Sequence, residues 1–215
     1  MTTKLLNKPK SKFKKCSFND PFIYIKDNVL SEKFCRKVIQ KFEDAKEKYP
    51  GLIGAGDASF KGMRDEKVKT SIDLSVSSNP DWKKEDKVFY KTLNKEYNNY
   101  IKQLPKTSHS PLGISNLVDS GYQIQRTDPG GFYIFHHDFE PNTVRYLTYI
   151  WYLNDIKQDG YTEFMDGTKV QPKAGRFMLF PATWTYFHRG YPPKNEIKYI
   201  CTGWMSMSSR SSITS

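Results

Sequence analysis

His136, Asp138, His188 and Lys198 are the residues whose types and spacing could do chemistry, and they sit in the runs FHHD, FHRGYPP and IKYICTGW of the C-terminal third. Two imidazoles and one carboxylate suit a non-haem iron(II) site that keeps coordination positions open for reactants. The lysine ten residues after the second histidine points to a dicarboxylate as the occupant of two of those positions. Together they predict an oxygenase whose chemistry is carried by residues 120–205.

For these groups to converge, strands must present them. FYIFHHDFE alternates and is rich in aromatics, so it reads as the end of a strand. Residues two apart in a strand share a face, which selects His136 and Asp138 as partners and turns His137 away. Residues 182–190, ATWTYFHRG, read as a second strand, with Trp184, Tyr186 and His188 on one face. In EIKYICTGWM a third strand places Lys198, Ile200, Thr202 and Trp204 on one face. A lysine among apolar groups on an inward face is costly unless an anion meets it, and the remote carboxylate of 2-oxoglutarate is the expected anion. Thr148 and Tyr152, sharing a face of TVRYLTYIWYLN, could add hydroxyl donors to that carboxylate.

The runs GGFYIFHHD, RYLTYIWYLND, GYTEF, VQPKAGRFMLFP and HRGYPPKNEIKYICTGW resemble the prolyl 4-hydroxylase group of iron(II)- and 2-oxoglutarate-dependent oxygenases. The resemblance covers residues 120–205 well and is looser upstream. Nucleic-acid demethylases of the same superfamily use arginines at another spacing. The resemblance implies a mainly β (α+β) fold, a double-stranded β-helix or jelly-roll barrel with helices packed on one face. It implies His136, Asp138 and His188 as iron ligands and Lys198 as the anchor of 2-oxoglutarate. Tyr152, Thr148, Tyr133 and Trp204 then line the pocket, and Arg145 falls where relatives have an arginine near substrate. Relatives often carry a tyrosine ten residues before the first ligand. Arg126 stands there, so either Tyr122 or Tyr133 takes over that contact or the pocket differs. The implied reaction is hydroxylation of a C–H bond by dioxygen, with 2-oxoglutarate leaving as succinate and carbon dioxide and ascorbate as reductant. Asp138 favours hydroxylation over halogenation, for which the superfamily replaces the carboxylate with a small residue.

A chain of 215 residues fits one domain with a sizeable core. The expected organisation is a flexible basic arm over 1–18, one domain over 19–206 and a frayed serine-rich tail over 207–215. FIYIKDNV reads as a strand. Ser31 reads as the N-cap of a helix running to about Lys48, with Phe34, Cys35, Val38, Ile39 and Phe42 at helical spacing. Residues 51–67, with four glycines, read as a loop that in relatives can close over substrate. A strand near TSIDLSV precedes a helix opened by Asn79, Pro80 and Asp81, with an apolar stripe of Phe89, Leu93, Tyr97, Tyr100, Ile101 and Leu104.

The three cysteines, Cys16, Cys35 and Cys201, have no zinc or disulfide spacing; Cys35 and Cys201 read as buried small hydrophobes. No run of about 18 apolar residues predicts a membrane span, and the N-terminus lacks the apolar stretch of a signal peptide, so a cytoplasmic location is expected. The net charge of +11 raises nucleic acid as a partner, but six lysines and one aspartate of the first twenty residues supply +5 of it and no arginine-rich stripe follows. The leading expectation is a hydroxylase of a prolyl or related residue in a peptide or protein. A free amino acid or small metabolite is the alternative substrate. Demethylation of nucleic acid and a non-catalytic ligand-binding barrel are the remaining readings.

Overall fold

The computed structural model describes residues 20–54, 62–77, 79–104, 117–139 and 145–207. The expected arm over 1–18 with Cys16, residues 55–61 of the glycine-rich loop and residues 208–215 of the tail lie outside these. In chain order the elements are β1 (Tyr24–Lys26), α1 (Glu32–Asp44), β2 (Tyr49–Pro50), β3 (Ile72–Ser75), α2 (Lys83–Gln103), β4 (Leu117–Thr127), β5 (Tyr133–His136), β6 (Arg145–Tyr152), β7 (Thr162–Phe164), β8 (Lys169–Val170), β9 (Phe177–Pro181), β10 (His188–Gly190) and β11 (Lys198–Met207).

Two antiparallel sheets form the double-stranded β-helix. The larger runs β1-β9-β6-β11-β4-β3-β2 and the smaller β5-β10-β7-β8. Alternation in the long strands sorts residues between two cores. One set, Tyr122, Ile124, Tyr149, Trp151, Phe177, Leu179 and Cys201, packs against Cys35, Val38 and Phe42 of α1 and Phe89, Leu93, Tyr97 and Tyr100 of α2. The opposite set, Ile150, Tyr152, Met178 and Phe180, meets Phe164 and Val170 of the smaller sheet inside the barrel. Cys35 and Cys201 are free and buried.

The helices form where their caps and stripes predict. Ser31 Oγ accepts from the Phe34 N–H at 3.2 Å, and Asn79 caps a short 3-10 turn, Pro80–Trp82, that leads into α2. The first helix ends at Asp44 rather than near Lys48. The Lys48 ammonium turns back and donates to the Phe42 and Glu43 carbonyls, satisfying the acceptors at the helix end. Tyr49 and Pro50 are thereby free to pair with β3.

Residues 182–190 are not one strand. Only His188–Gly190 is paired as a strand. Trp184–Tyr186 is a 3-10 turn, and Trp184 is 68% exposed. The chain must cross here from β9 in one sheet to β10 in the other, and an alternating aromatic pattern cannot override that turn.

Candidate metal centre

Register brings the two histidines together. His188 on β10 lies directly opposite His136 on β5, and β10 also pairs with β7 on its other side. Asp138 follows two residues beyond the end of β5 and turns inward. One ligand atom from each of His136, Asp138 and His188 falls within 4.8 Å of the others. The imidazole Nε2 atoms stand 3.6 Å (His136) and 3.5 Å (His188) from separate oxygens of the Asp138 carboxylate.

Backbone carbonyls fix the tautomers. His136 Nδ1 is 2.8 Å from the Ile134 carbonyl and His188 Nδ1 is 3.1 Å from the Tyr186 carbonyl. A proton on each Nδ1 leaves the Nε2 lone pair directed at the common centre. Burial, reinforced by repulsion from His136, lowers the His188 pKa to about 4, so the ring is neutral and able to coordinate. Burial alone would raise the Asp138 carboxyl, but the attraction of His188 and hydrogen bonds with His136 and Thr148 hold it well below the usual carboxylate range. Two imidazoles whose Nε2 atoms face one centre and an ionised carboxylate make a donor set that fits iron(II). His137 points away, its ring edge-on to Phe187 at 5.2 Å.

Lys198 lines the same cavity as all three of these groups. Its ammonium is buried and donates to the Gly160 carbonyl at 3.1 Å. Desolvation lowers its pKa to about 8. Ile200, Thr202 and Trp204 share its face and line the cavity too. A dicarboxylate end fits this wall, because among the described residues no carboxylate pairs with this buried cation, which has donors to spare.

The remaining sequence-selected residues have distinct places. Thr148 lines the cavity, but its hydroxyl donates to Asp138 Oδ2 at 2.7 Å, so it orients the carboxylate rather than standing free for a co-substrate. Tyr152 reaches the cavity through Thr162, to which its hydroxyl donates at 2.7 Å. Tyr133 stacks on His136, with ring centroids 3.6 Å apart and planes 15° from parallel. The Trp204 Nε1–H is buried without a hydrogen-bond partner among the described residues. The Arg145 guanidinium lies 3.8 Å over the Trp204 ring.

Arg126 lies outside the cavity, ion-paired with Asp128 at 2.8 Å and 3.7 Å from Glu43 of α1. Tyr122 also faces the helices, where its hydroxyl donates to Asp86. The cavity face of β4 presents Gln125 and Thr127 instead, paired with Ile200 and Lys198. Sequence reasoning missed these two and also Lys69, Ser71 and Asp73. The alternation Lys-x-Ser-x-Asp opposite Ile72 and Leu74 was the available signal.

A second cavity of about 230 Å³ shares His136, Asp138, Tyr133, Gln125 and Trp204 with the first but does not include Lys198. Ile53, Ile134 and Phe135 give it apolar walls; Gln123 and Arg145 give it polar ones.

A family model described as the 2OG-Fe(II) oxygenase superfamily matches residues 122–206. No curated protein matches by sequence. Among solved structures, the chain is similar to a viral collagen prolyl hydroxylase from Paramecium Bursaria Chlorella virus-1, at 20% identity and TM-score 0.63, over 87% of this chain and 97% of that one. A prolyl hydroxylase from Trichoplax adhaerens, solved with a peptide fragment of the hypoxia inducible factor oxygen degradation domain, matches at 15% identity and TM-score 0.70, over 91% and 88%. A Pseudomonas putida prolyl-4-hydroxylase matches at 17% identity and TM-score 0.61, over 87% and 94%.

Proposed function

We propose that this chain, a member of the 2OG-Fe(II) oxygenase superfamily through residues 122–206, hydroxylates a prolyl residue of a peptide or protein. The observation that carries this reading is that two cavities have His136 and Asp138 in common among their lining residues. One is lined by the buried Lys198, and the other by Ile134, Gln123 and Arg145 without Lys198. The fold is shared with prolyl hydroxylases, one of them holding a peptide fragment.

His136, Asp138 and His188 would hold the iron(II), and Lys198 would meet the remote carboxylate of 2-oxoglutarate. The bound metal, with 2-oxoglutarate and dioxygen, supplies an oxidation that places one oxygen atom in a C–H bond and leaves succinate and carbon dioxide. Ascorbate keeps the metal reduced. The protein's own part is positioning. Thr148 holds Asp138, the Ile134 and Tyr186 carbonyls hold the imidazoles, and Ile150 and Ile200 keep the inner wall apolar. Tyr152 acts at one remove, through Thr162. Arg145, stacked on Trp204 in the second cavity, contacts the substrate.

Among the described residues no helix is long and apolar enough to cross a membrane. A cytoplasmic site of action, where iron(II) stays reduced, accords with this reading.

The test is turnover of the full chain with iron(II), ascorbate and 2-oxoglutarate, offered proline-rich peptides, free proline or methylated oligonucleotides in parallel. The expected result is succinate release coupled to a gain of one oxygen atom on the peptide. Oxygen gain only on free proline moves the substrate to a metabolite; absence of 2-oxoglutarate binding to the metal-loaded chain removes the enzymatic reading.

A further inference from the structure

We infer that Lys69 is a positioning residue for the imidazole of His136, acting through the ring of Tyr133. The inference rests on the metal reading of His136, Asp138 and His188.

His136 is the weakly supported ligand of the three. Its strand, β5, is an edge of the smaller sheet, whereas His188 sits on β10 with β5 and β7 on either side. Its side chain is also more exposed than those of Asp138 and His188. Edge strands are short of lateral restraint, so a ligand carried on one needs support from elsewhere.

The segment leading into β3 provides it. The Thr70 N–H donates to the Phe132 carbonyl at 2.9 Å, and the Ile134 N–H to the Val68 carbonyl at 3.0 Å. Lys69 itself bridges Tyr133. A few residues later the same stretch pairs with β4 in the larger sheet. Lys69 therefore sits where one segment ties the open edge of the metal-bearing strand to the scaffold.

Its side chain continues that tie. Lys69 is 5% and Asp73 1% exposed. The ammonium donates to Asp73 Oδ2 at 2.8 Å, while Ser71 Oγ donates to Asp73 Oδ1 at 2.7 Å. So held, the ammonium lies 5.6 Å from the centroid of the Tyr133 ring, within cation–π range. That ring is the one stacked on His136 at 3.6 Å. Gly51 closes over the pair, since a Cβ there would stand 2.2 Å from Ser71 Oγ and 2.9 Å from Lys69 Cε. A buried ion pair seldom adds stability over apolar residues of equal volume. What this pair supplies is a fixed direction: Asp73 aims the ammonium, the ammonium holds the ring, and the ring sets the plane of the ligand.

The test uses the full chain and cobalt(II), whose d–d absorption reports coordination geometry without turnover. Replacing the pair together, Lys69→Met with Asp73→Leu, leaves no buried charge unpaired. We expect that variant to keep the melting temperature of the metal-free protein while its cobalt(II) Kd rises by roughly tenfold and its d–d spectrum changes. Tyr133→Leu should reproduce both changes, and Tyr133→Phe, which keeps the ring, should restore the parent values. If the double variant does not fold, Lys69→Gln decides in its place, because it keeps a donor to Asp73 without the charge. Parent affinity and spectrum in the variant that folds would overturn the inference alone. Failure of the unaltered chain to bind cobalt(II) would remove the metal reading and this inference with it.

Discussion

Strands of 11, 8 and 10 residues (β4, β6 and β11) form the middle of the larger sheet, whereas β5, β7, β8 and β10 of the smaller sheet have 4, 3, 2 and 3. The larger sheet buries Trp151, Tyr149, Phe177 and Tyr122 under two helices, with ring centroids 5.1 to 6.4 Å apart. The smaller sheet carries His136 and His188, two of the three candidate ligands, and has few apolar groups of its own. Strands so short are marginal alone and hold their shape only by resting on a larger body. Stability and most of the chemistry are therefore divided: the larger sheet supplies the rigidity and lends one buried cation, Lys198 of β11, while the smaller sheet presents the lone pairs of His136 and His188.

That division can be broken most severely from the scaffold. Trp151→Ala removes a fully buried ring between α2 and the sheet and is expected to cost about 3–5 kcal/mol in urea unfolding. The metal affinity of the molecules that remain folded should not change; a parallel loss of affinity would show that the two regions are not separable. Asp138→Ala acts in the opposite sense. Metal affinity should fall by at least about 100-fold in calorimetry, with a smaller effect on unfolding than Trp151→Ala, because the substitution removes a buried charge and deprives the Thr148 hydroxyl of one acceptor.

Lys198→Met should weaken 2-oxoglutarate binding to the metal-loaded chain by roughly 30- to 100-fold, with metal affinity retained. The pH dependence sharpens this further. In the folded chain Lys198 loses its proton near pH 8, against an ordinary value of 10.5. Between those values the unfolded chain binds more protons, so folding stability gains from this residue as pH rises. Over the same range the cation facing the co-substrate is lost, so 2-oxoglutarate affinity should fall above about pH 8. Denaturant melts and calorimetry at pH 7 and 9.5 would show the two opposed trends, and Lys198→Met should abolish both. The smallest effect belongs to His137→Ala, which should leave metal affinity within about twofold, since its ring faces Phe187 rather than the centre.

Much of the site was legible because strand parity is a local rule. Lys198, Ile200, Thr202 and Trp204 share one face of β11, and His136 and Asp138 line the same cavity although Asp138 lies two residues past the end of β5. Helical spacing marked α1 and α2 equally well. Crossings between sheets were not legible, because nothing local marks where an alternating run must turn; hence the 3-10 turn at Trp184–Tyr186 inside an apparent strand. Hydroxyl partners were not legible either. Thr148 was expected to meet the co-substrate and instead donates to Asp138, an outcome set by which atoms the fold brings within 2.7 Å.

By itself, the order of residues determined the ligand types, the alternation that aims them and the helices that cover the scaffold, since each depends on neighbours within a few positions. Only the tertiary structure decided that His188 should stand opposite His136, that Gln125 and Thr127 rather than Arg126 should face the cavity, and that Lys69 should reach Tyr133. Those relations join segments tens of residues apart. Register between strands, which no local pattern encodes, sets them to within one residue, and a shift of one would turn every side chain to the other face.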